Sequence, residues 1–328
     1  MHRSEYHFLD LQQEEGEDGT RDTTGLQCLA KKRSKVLYDV EHRDGYWWIS
    51  TNVGGTPNMS LKVSPAVANC ENLWKDVTET IDGTKLFEGN YERSLEGLET
   101  FQSHIIASGR EGGIPRIWII TPTAATDTDD DNVIDVAVVD RMEMLTFEEN
   151  AHDVGLHSHS EFDTDTIVVS YDSMITPPST IEIGLKDDDM NNIEHRTVLK
   201  TKTVPSYEKD LYGCDRVTVR SRDGNTDVPV SLVYRKDIME QHLSNGQPIH
   251  THLYGYGSYG ASMEADFDVT RLPLLNRGVV YVIAHIRYVL ILFGCLFSLF
   301  PDFRVGCLLH SYLSIACASV IIGIQYLF

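Results

Sequence analysis

The stretch KVLYDVEHRDGYWWISTN, residues 35–52, carries the pattern that decides the fold of most of this chain. Two runs rich in apolar and aromatic residues flank Arg-Asp-Gly, a sequence typical of a tight turn between two strands. A third run, NMSLKVSP at 58–65, ends at a proline. Together the three runs predict a β-hairpin extended by a third strand.

The same unit recurs further along the chain. ETFQSHIIASGREGGIPRIWIITP at 99–122 and DTIVVSYDSMITPPSTIEIGLKDD at 165–188 each place strand, turn, strand and proline in that order. Hairpin units that recur along a chain, without helical periodicity, are typical of propeller blades. We therefore predict a partial β-propeller over residues 35–205, preceded by an acidic, poorly defined segment at 1–34.

The pattern changes after Pro205. A hairpin is predicted over 215–237, and a strand enters a glycine-rich loop in IHTHLYGYGSYGAS at 249–262. TRLPLLNRG at 270–278 predicts a short helix or turn, and VVYVIAHIR at 279–287 predicts an apolar strand. Such strands alternating with helical connections indicate the start of a mostly parallel sheet covered on both faces. The predicted fold class is thus mainly β, then α/β over 206–287.

Composition excludes several functions. Asp and Glu outnumber Lys and Arg by 49 to 28, which gives a net charge of −21, and KKRSK at 31–35 is the one short basic cluster. Nucleic-acid binding needs clustered basic residues, so no nucleic-acid partner is expected. The six cysteines show no paired CxxC spacing, which argues against a disulfide framework or a structural zinc site. No cofactor is indicated, and the amino end has no signal-peptide core, so a cytoplasmic body is expected.

Three motifs occur together downstream: RDGNTDVPVSLVYRKD at 222–237, HLYGYGSYGASMEADF at 252–267 and RLPLLNRGVVYVIAHIR at 271–287. In these motifs the chain resembles the prolyl oligopeptidase family of serine peptidases, and within it is most similar to oligopeptidase B. The resemblance extends over roughly residues 35–287. It implies a β-propeller over an α/β-hydrolase domain, and hydrolysis of short peptides by a Ser-His-Asp triad.

The resemblance also implies site residues. Tyr256, in Tyr254-Gly255-Tyr256-Gly257, matches the tyrosine whose hydroxyl contributes to the oxyanion hole, and the flanking glycines let a bulky acyl group approach. Tyr259 is interpreted as a packing residue. The nucleophile elbow G-x-S-x-G occurs nowhere in the sequence, and the positions that carry the triad serine, aspartate and histidine have no counterpart. We therefore expect this chain to be inactive by itself.

Histidine and acidic clusters offer alternative sites. His157, His159 and Glu161 alternate, so on a strand they would share one face, as a metal site requires. An exposed polar strand explains the same spacing, and the resemblance implies no metal there. His285 is interpreted as a hydrogen-bonded sheet residue. TDTDDDN at 126–132 lacks the spacing of a calcium loop and is expected to be a solvated loop.

The segment 288–328 departs from the family and is strongly apolar. Within it, residues 305–328 carry no formal charge and are long enough for a transmembrane helix. Reading through an unspliced intron or a frameshift would also produce such a segment. Two alternatives to a peptidase follow from it: a non-catalytic propeller-derived module that binds basic peptides and is tethered to a membrane, or a truncated product without function.

Overall fold

The structure is a computed structural model, and it describes residues 5–8, 26–79, 82–123, 137–185, 196–221, 227–246, 248–255 and 263–285. The chain splits into two compact units. One comprises Met1–Thr146, Gly155–Val169 and Glu182–Thr197, and the other comprises Phe147–Val154, Ser170–Ile181 and Val198–Phe328. This division is interleaved along the chain. The predicted regions 1–34, 35–205, 206–287 and 288–328 stay a prediction. The acidic run 126–132, Tyr256, Gly257 and the tail 288–328 lie outside the described residues.

The first unit begins with two short strands, and the first predicted hairpin comes next in the chain. Strands β1 (His7–Phe8) and β2 (Gln27–Cys28) pair antiparallel. The next sheet is antiparallel and sequential, with β3 (Tyr38–Arg43), β4 (Tyr46–Thr51), β5 (Ser60–Pro65) and β6 (Lys75–Asp76). Asp44 and Gly45, at φ 49° and 75°, make the tight turn that the Asp-Gly sequence favours. The predicted hairpin with its third strand is confirmed.

The second sheet contains the second predicted hairpin. Its strands are β7 (Thr78–Glu79), β8 (Arg93–Thr100), β9 (Ile105–Glu111), β10 (Ile114–Pro122) and β11 (Val138–Met144). The order is β7-β11-β10-β9-β8, and β7 runs parallel to β11. Trp48 of β4 and Trp118 of β10 are buried in one hydrophobic cluster, so aromatic side chains of both sheets contribute to the core of this unit.

The third sheet has four strands in sequential order: β12 (His152–Leu156), β13 (Thr166–Ser173), β14 (Ser179–Gly184) and β15 (Arg196–Thr201). The third predicted unit, 165–188, supplies β13 and β14, and the two outer strands were not predicted. Alternate residues of β13, from Ile167 to Ser173, are buried. This is the period of two that the sequence predicts for a strand.

A mixed sheet completes the described structure. Its elements are β16 (Tyr212–Arg220), β17 (Asp227–Arg235), α1 (Lys236–Ser244), β18 (Thr251–Gly255), α2 (Leu272–Leu275) and β19 (Val280–Ala284). The strand order is β16-β17-β19-β18. β17 is antiparallel to β16 and β19, and β18 is parallel to β19. The described sheet is therefore mixed, not mostly parallel, because β17 is antiparallel to both of its neighbours and β18-β19 is the one parallel pair among its described strands.

Both faces of this mixed sheet are covered, as the apolar strands predict. Val230 and Val282 belong to one hydrophobic cluster, whereas Val233 and Ile283 belong to another. Helix α1, which was not predicted, contributes the buried Met239 to the first cluster. Within the described part of the chain, no helix combines the length and apolarity that a membrane crossing needs. The predicted membrane segment 305–328 lies outside that part.

Candidate functional site

The first two residues of the predicted tyrosine-glycine motif, Tyr254 and Gly255, are the last two residues of strand β18. Because β18 and β19 are parallel, with Gly255 opposite Ala284, both strands end at the same edge of the sheet. Tyr254 is 37% exposed and lies beside Gly255 at that edge. Tyr256 and Gly257, which come next, lie outside the described residues, so their placement stays a prediction. The carboxyl ends of parallel strands are where ligands commonly bind in open α/β sheets.

His285 lies at the same edge, one residue beyond β19. Its Nε2 is 2.7 Å from Ser231 Oγ, and its Nδ1 is 3.0 Å from the Met263 carbonyl oxygen. A carbonyl only accepts, so Nδ1 donates to Met263, while Nε2 is hydrogen-bonded to the serine hydroxyl. Ser231 is completely buried and cannot meet a substrate. The pair is therefore structural, and the interpretation of His285 as a hydrogen-bonded sheet residue is confirmed.

The segment after the motif is tied to the sheet by Arg271, which is 7% exposed. Its Nη1 donates to the Asp266 backbone oxygen at 2.6 Å, and its Nη2 donates to Asp266 Oδ1 at 2.8 Å. The guanidinium also lies 4.9 Å from the centroid of the Tyr281 ring on β19. A planar cation that combines these contacts fixes residues 263–271 against the sheet.

Asp172 on β13 is a half-buried carboxyl in the same unit. Burial raises its pKa to about 7, helped by the negative charges of Asp153 and Asp266, while Arg271 acts in the opposite direction. Among the described residues, none offers a hydrogen-bond donor to its Oδ1 atom. Strongly shifted carboxyls of this kind concentrate at functional sites, because they change charge near neutral pH. Sequence reasoning did not identify Asp172 as a candidate, because the alternation of the strand does not separate it from other polar residues.

Glu149 is a second buried carboxyl, and its negative charge is stabilised by a cation and by two hydroxyl donors. Lys209 Nζ lies 2.7 Å from its Oε1, and the hydroxyls of Tyr171 and Thr176 donate to its two oxygens. Burial alone would raise the pKa of Glu149, but these three donors outweigh it and hold the pKa low. We interpret this network as structural, because all three partners stabilise the ionised form of Glu149.

Cys214 is the described cysteine of the mixed sheet. Burial raises its pKa to about 12, and the nearby carboxylates of Glu149 and Asp215 act in the same direction. A thiol nucleophile needs a lowered pKa. Cys214 is therefore not suited to covalent catalysis.

The candidate metal residues His157, His159 and Glu161 are not assembled into a site. His159 Nε2 accepts the Val168 backbone N–H at 2.8 Å, and its ring packs edge-on against Phe101. His157 and Glu161 are exposed. Within the described ranges, three potential ligands with donor atoms mutually within 4.8 Å occur at Glu5, His7 and Cys28 instead.

Comparison with known proteins gives one family. The family described as "Prolyl oligopeptidase, N-terminal beta-propeller domain" matches residues 1–196. Dipeptidyl aminopeptidase BI of Pseudoxanthomonas mexicana is 32% identical over 259 residues, which are 79% of this chain and 31% of that protein. Protease 2 of Moraxella lacunata is 28% identical, with coverage of 80% and 32%.

A solved structure agrees with this result. Oligopeptidase B from Leishmania major superimposes with a TM-score of 0.64 at 26% identity, covering 87% of this chain and 35% of its own. The chain thus spans about a third of the length of the relatives that it matches. The β-propeller predicted from the repeated hairpins is confirmed by the family match.

Proposed function

Because this chain belongs to the prolyl oligopeptidase family, we propose that the complete protein is a serine oligopeptidase that hydrolyses short peptides. The observation that carries the proposal is the pairing of β18 with β19, which brings Tyr254 and Gly255, the first two residues of the tyrosine-glycine motif, to the carboxyl ends of two parallel strands in a doubly covered sheet. On this proposal, residues 206–287 are the first strands of an α/β-hydrolase domain. The antiparallel hairpin β16-β17 precedes the parallel pair β18-β19 in the chain, and this order is compatible with that assignment.

Tyr256 is proposed to donate its phenolic hydrogen to the oxyanion that forms when the peptide carbonyl is attacked. A preorganised donor of this kind contributes roughly 3 to 4 kcal/mol to transition-state stabilisation. The ties of Arg271 and His285 to the segment 263–271 support the role, because they anchor the far end of the motif loop. The nucleophilic serine and its partners are proposed to come from the part of the relatives that this chain does not span.

The test is kinetic and uses the complete protein. Tyr256→Phe removes one hydroxyl, and we expect kcat to fall about 10²- to 10³-fold with little change in KM, because the donor acts mainly in the transition state. Tyr259→Phe is the matched control and is expected to retain kcat. An unchanged kcat in Tyr256→Phe would remove Tyr256 from the mechanism.

A preference for basic peptides is proposed from charge. This chain carries a net charge of −21. An acidic surface attracts cationic peptides and repels acidic ones, and salt weakens both effects. We expect an arginyl amide to be cleaved faster than a glutamyl amide, with a ratio that decreases as ionic strength rises. Equal rates for the two amides at low salt would contradict this preference.

Residues 1–328 by themselves are proposed to lack peptidase activity, because the sequence contains no G-x-S-x-G elbow. Without a nucleophile, an oxyanion donor supplies at most weak residual catalysis. Purified 1–328 should therefore hydrolyse an arginyl amide no faster than its Tyr256→Phe variant. Turnover that depends on Tyr256 would disprove the proposed inactivity.

A further inference from the structure

Three metal-ligating side chains of different chemistry converge at the two-stranded sheet of the first unit. The ligand atoms of Glu5, His7 and Cys28 all lie within 4.8 Å of one another. His7 Nε2 is 3.7 Å from Glu5 Oε1. Glu5 and His7 are exposed and Cys28 is half-buried, so an ion can reach them from solvent. The proposed peptidase activity uses none of these residues.

The strand pairing explains why they converge. His7 lies directly opposite Cys28 in the antiparallel pair of β1 and β2. Glu5 is two residues before His7, so the alternation of an extended chain places both side chains on one face. Cross-strand neighbours of this kind have Cβ atoms about 4.5 to 5.5 Å apart, close enough for both to bind one ion.

Tyr6 holds this segment from the opposite face. Its hydroxyl donates to Asp39 Oδ1 at 2.7 Å, and its ring centroid is 5.3 Å from that of Tyr38. Its backbone nitrogen donates to the Tyr38 hydroxyl at 3.1 Å, and its carbonyl accepts the Leu29 N–H at 3.0 Å. These contacts hold Tyr6 on one face of the segment. Because neighbouring side chains of an extended chain point to opposite faces, Glu5 and His7 lie on the other face, beside Cys28.

We propose that Glu5, His7 and Cys28 form a surface site for Zn²⁺, with water in the fourth position. Imidazole, thiolate and carboxylate are the ligands that Zn²⁺ takes, and a thiolate disfavours Mg²⁺ and Ca²⁺. A tetrahedral ion with bonds of 2.0 to 2.3 Å places its ligand atoms about 3.3 to 3.7 Å apart. The imidazole and carboxylate already have this spacing, and the thiol reaches it by a shift of about 1 Å.

Binding has a proton balance and a structural consequence. The Cys28 thiol donates to the Ala30 carbonyl oxygen at 3.3 Å; on binding, it loses this proton to solvent and the thiolate bonds to the metal. The ion would then cross-link β1 to β2. Phe8 of β1 packs on the cluster that contains Leu29 and Trp47, so the cross-link would also stabilise this part of the core.

The test titrates the full chain with Co²⁺, a spectroscopic substitute for Zn²⁺. We expect one equivalent to produce thiolate-to-cobalt charge-transfer absorption, and Cys28→Ser to abolish that absorption. His7→Gln, which changes an exposed side chain, should weaken binding about tenfold or more. Cys214→Ser is the matched thiol control and His157→Gln the matched imidazole control, and both should bind like the parent chain.

A second measurement reports the cross-link. Zn²⁺ should raise the melting temperature of the parent chain but not that of His7→Gln, since a ligand that binds the native state stabilises it. Absorption of equal intensity in the parent chain and Cys28→Ser would overturn the proposal, because the thiolate would then come from another cysteine. Equal affinity in His7→Gln and the parent chain, or a folded parent chain that binds no Co²⁺, would overturn it as well.

Discussion

Lys209 Nζ lies 2.7 Å from Glu149 Oε1 and 3.0 Å from Glu148 Oε2, so one ammonium group joins two adjacent carboxylates of very different burial. The Glu149 side chain is 5% exposed and that of Glu148 is 78% exposed. The same cation therefore makes a strong contact with one neighbour and a weak contact with the other. Comparing Glu148 with Glu149 therefore measures how burial changes the strength of an ion pair to the same cation.

The first prediction concerns this pair. Glu149→Gln should lower the free energy of unfolding by about 2 to 3 kcal/mol, somewhat less than a fully buried pair, because Lys209 is partly exposed. Glu148→Gln should change it by less than about 0.5 kcal/mol, since exposed ion pairs contribute little. Urea denaturation at neutral pH measures both. Equal effects would show that burial does not determine the strength of this network.

The second prediction is a pH dependence that arises from Asp172. Its pKa is about 7 in the folded chain, against about 3.9 for an unfolded aspartate. Since the folded pKa is raised, its contribution to stability is fully present below about pH 3.9 and is lost as the pH rises through about 7. Asp172→Asn removes this loss, so the variant should become more stable than the parent chain at pH 8.

The measurement is the urea midpoint at several pH values from 5 to 8. The difference between Asp172→Asn and the parent chain should grow with pH across this range. Asp163→Asn, at an exposed position, is the control and should follow the parent curve. Parallel curves for Asp172→Asn and the parent chain would exclude titration of Asp172 in this range.

The third prediction concerns close backbone approach in the second sheet. A Cβ atom on Gly109 would lie 1.9 Å from the Ser94 backbone oxygen, whereas a Cβ on Gly184 would meet nothing within 4 Å. Gly109→Ala should therefore destabilise the chain by about 3 kcal/mol or more, because β8 cannot move without breaking its pairing with β9. Gly184→Ala should stay within about 0.5 kcal/mol. Thermal denaturation distinguishes the two, and similar melting temperatures would argue against this close contact.

The fourth prediction tests the contact between His285 and Ser231. His285→Ala removes a hydrogen-bond partner of a fully buried hydroxyl and should cost about 1 to 3 kcal/mol. Ser231→Ala in the same background should then cost little, because the hydroxyl has already lost this partner; a double-mutant cycle measures the coupling. His250→Ala, at an exposed position, is the control. Additive effects of the two substitutions would mean that the contact contributes no stability.

The sequence by itself determined the strands and their alternation. The runs at 35–52, 99–122 and 165–188 each contain two successive strands, because apolar alternation and turn residues act over a few neighbouring residues. The turn residues are Asp-Gly in the first run, Gly-Gly in the second and Pro-Pro in the third. The motifs at 222–237, 252–267 and 271–287 also identified the family from the sequence alone. Helix α1 was missed, since its polar sequence has a single buried side chain, Met239, to mark the inner face.

Only the tertiary structure decided which distant side chains meet. Glu149 and Lys209, or Asp172 and Asp266, are far apart in the sequence, and no periodicity connects them. Their charge states depend on burial and on partners supplied by other strands, which is why neither the compensated Glu149 nor the raised pKa of Asp172 was foreseen. The proposed site at Glu5, His7 and Cys28 also depends on tertiary structure. The spacing of Glu5 and His7 puts two ligands on one face, but only strand pairing brings Cys28 to them.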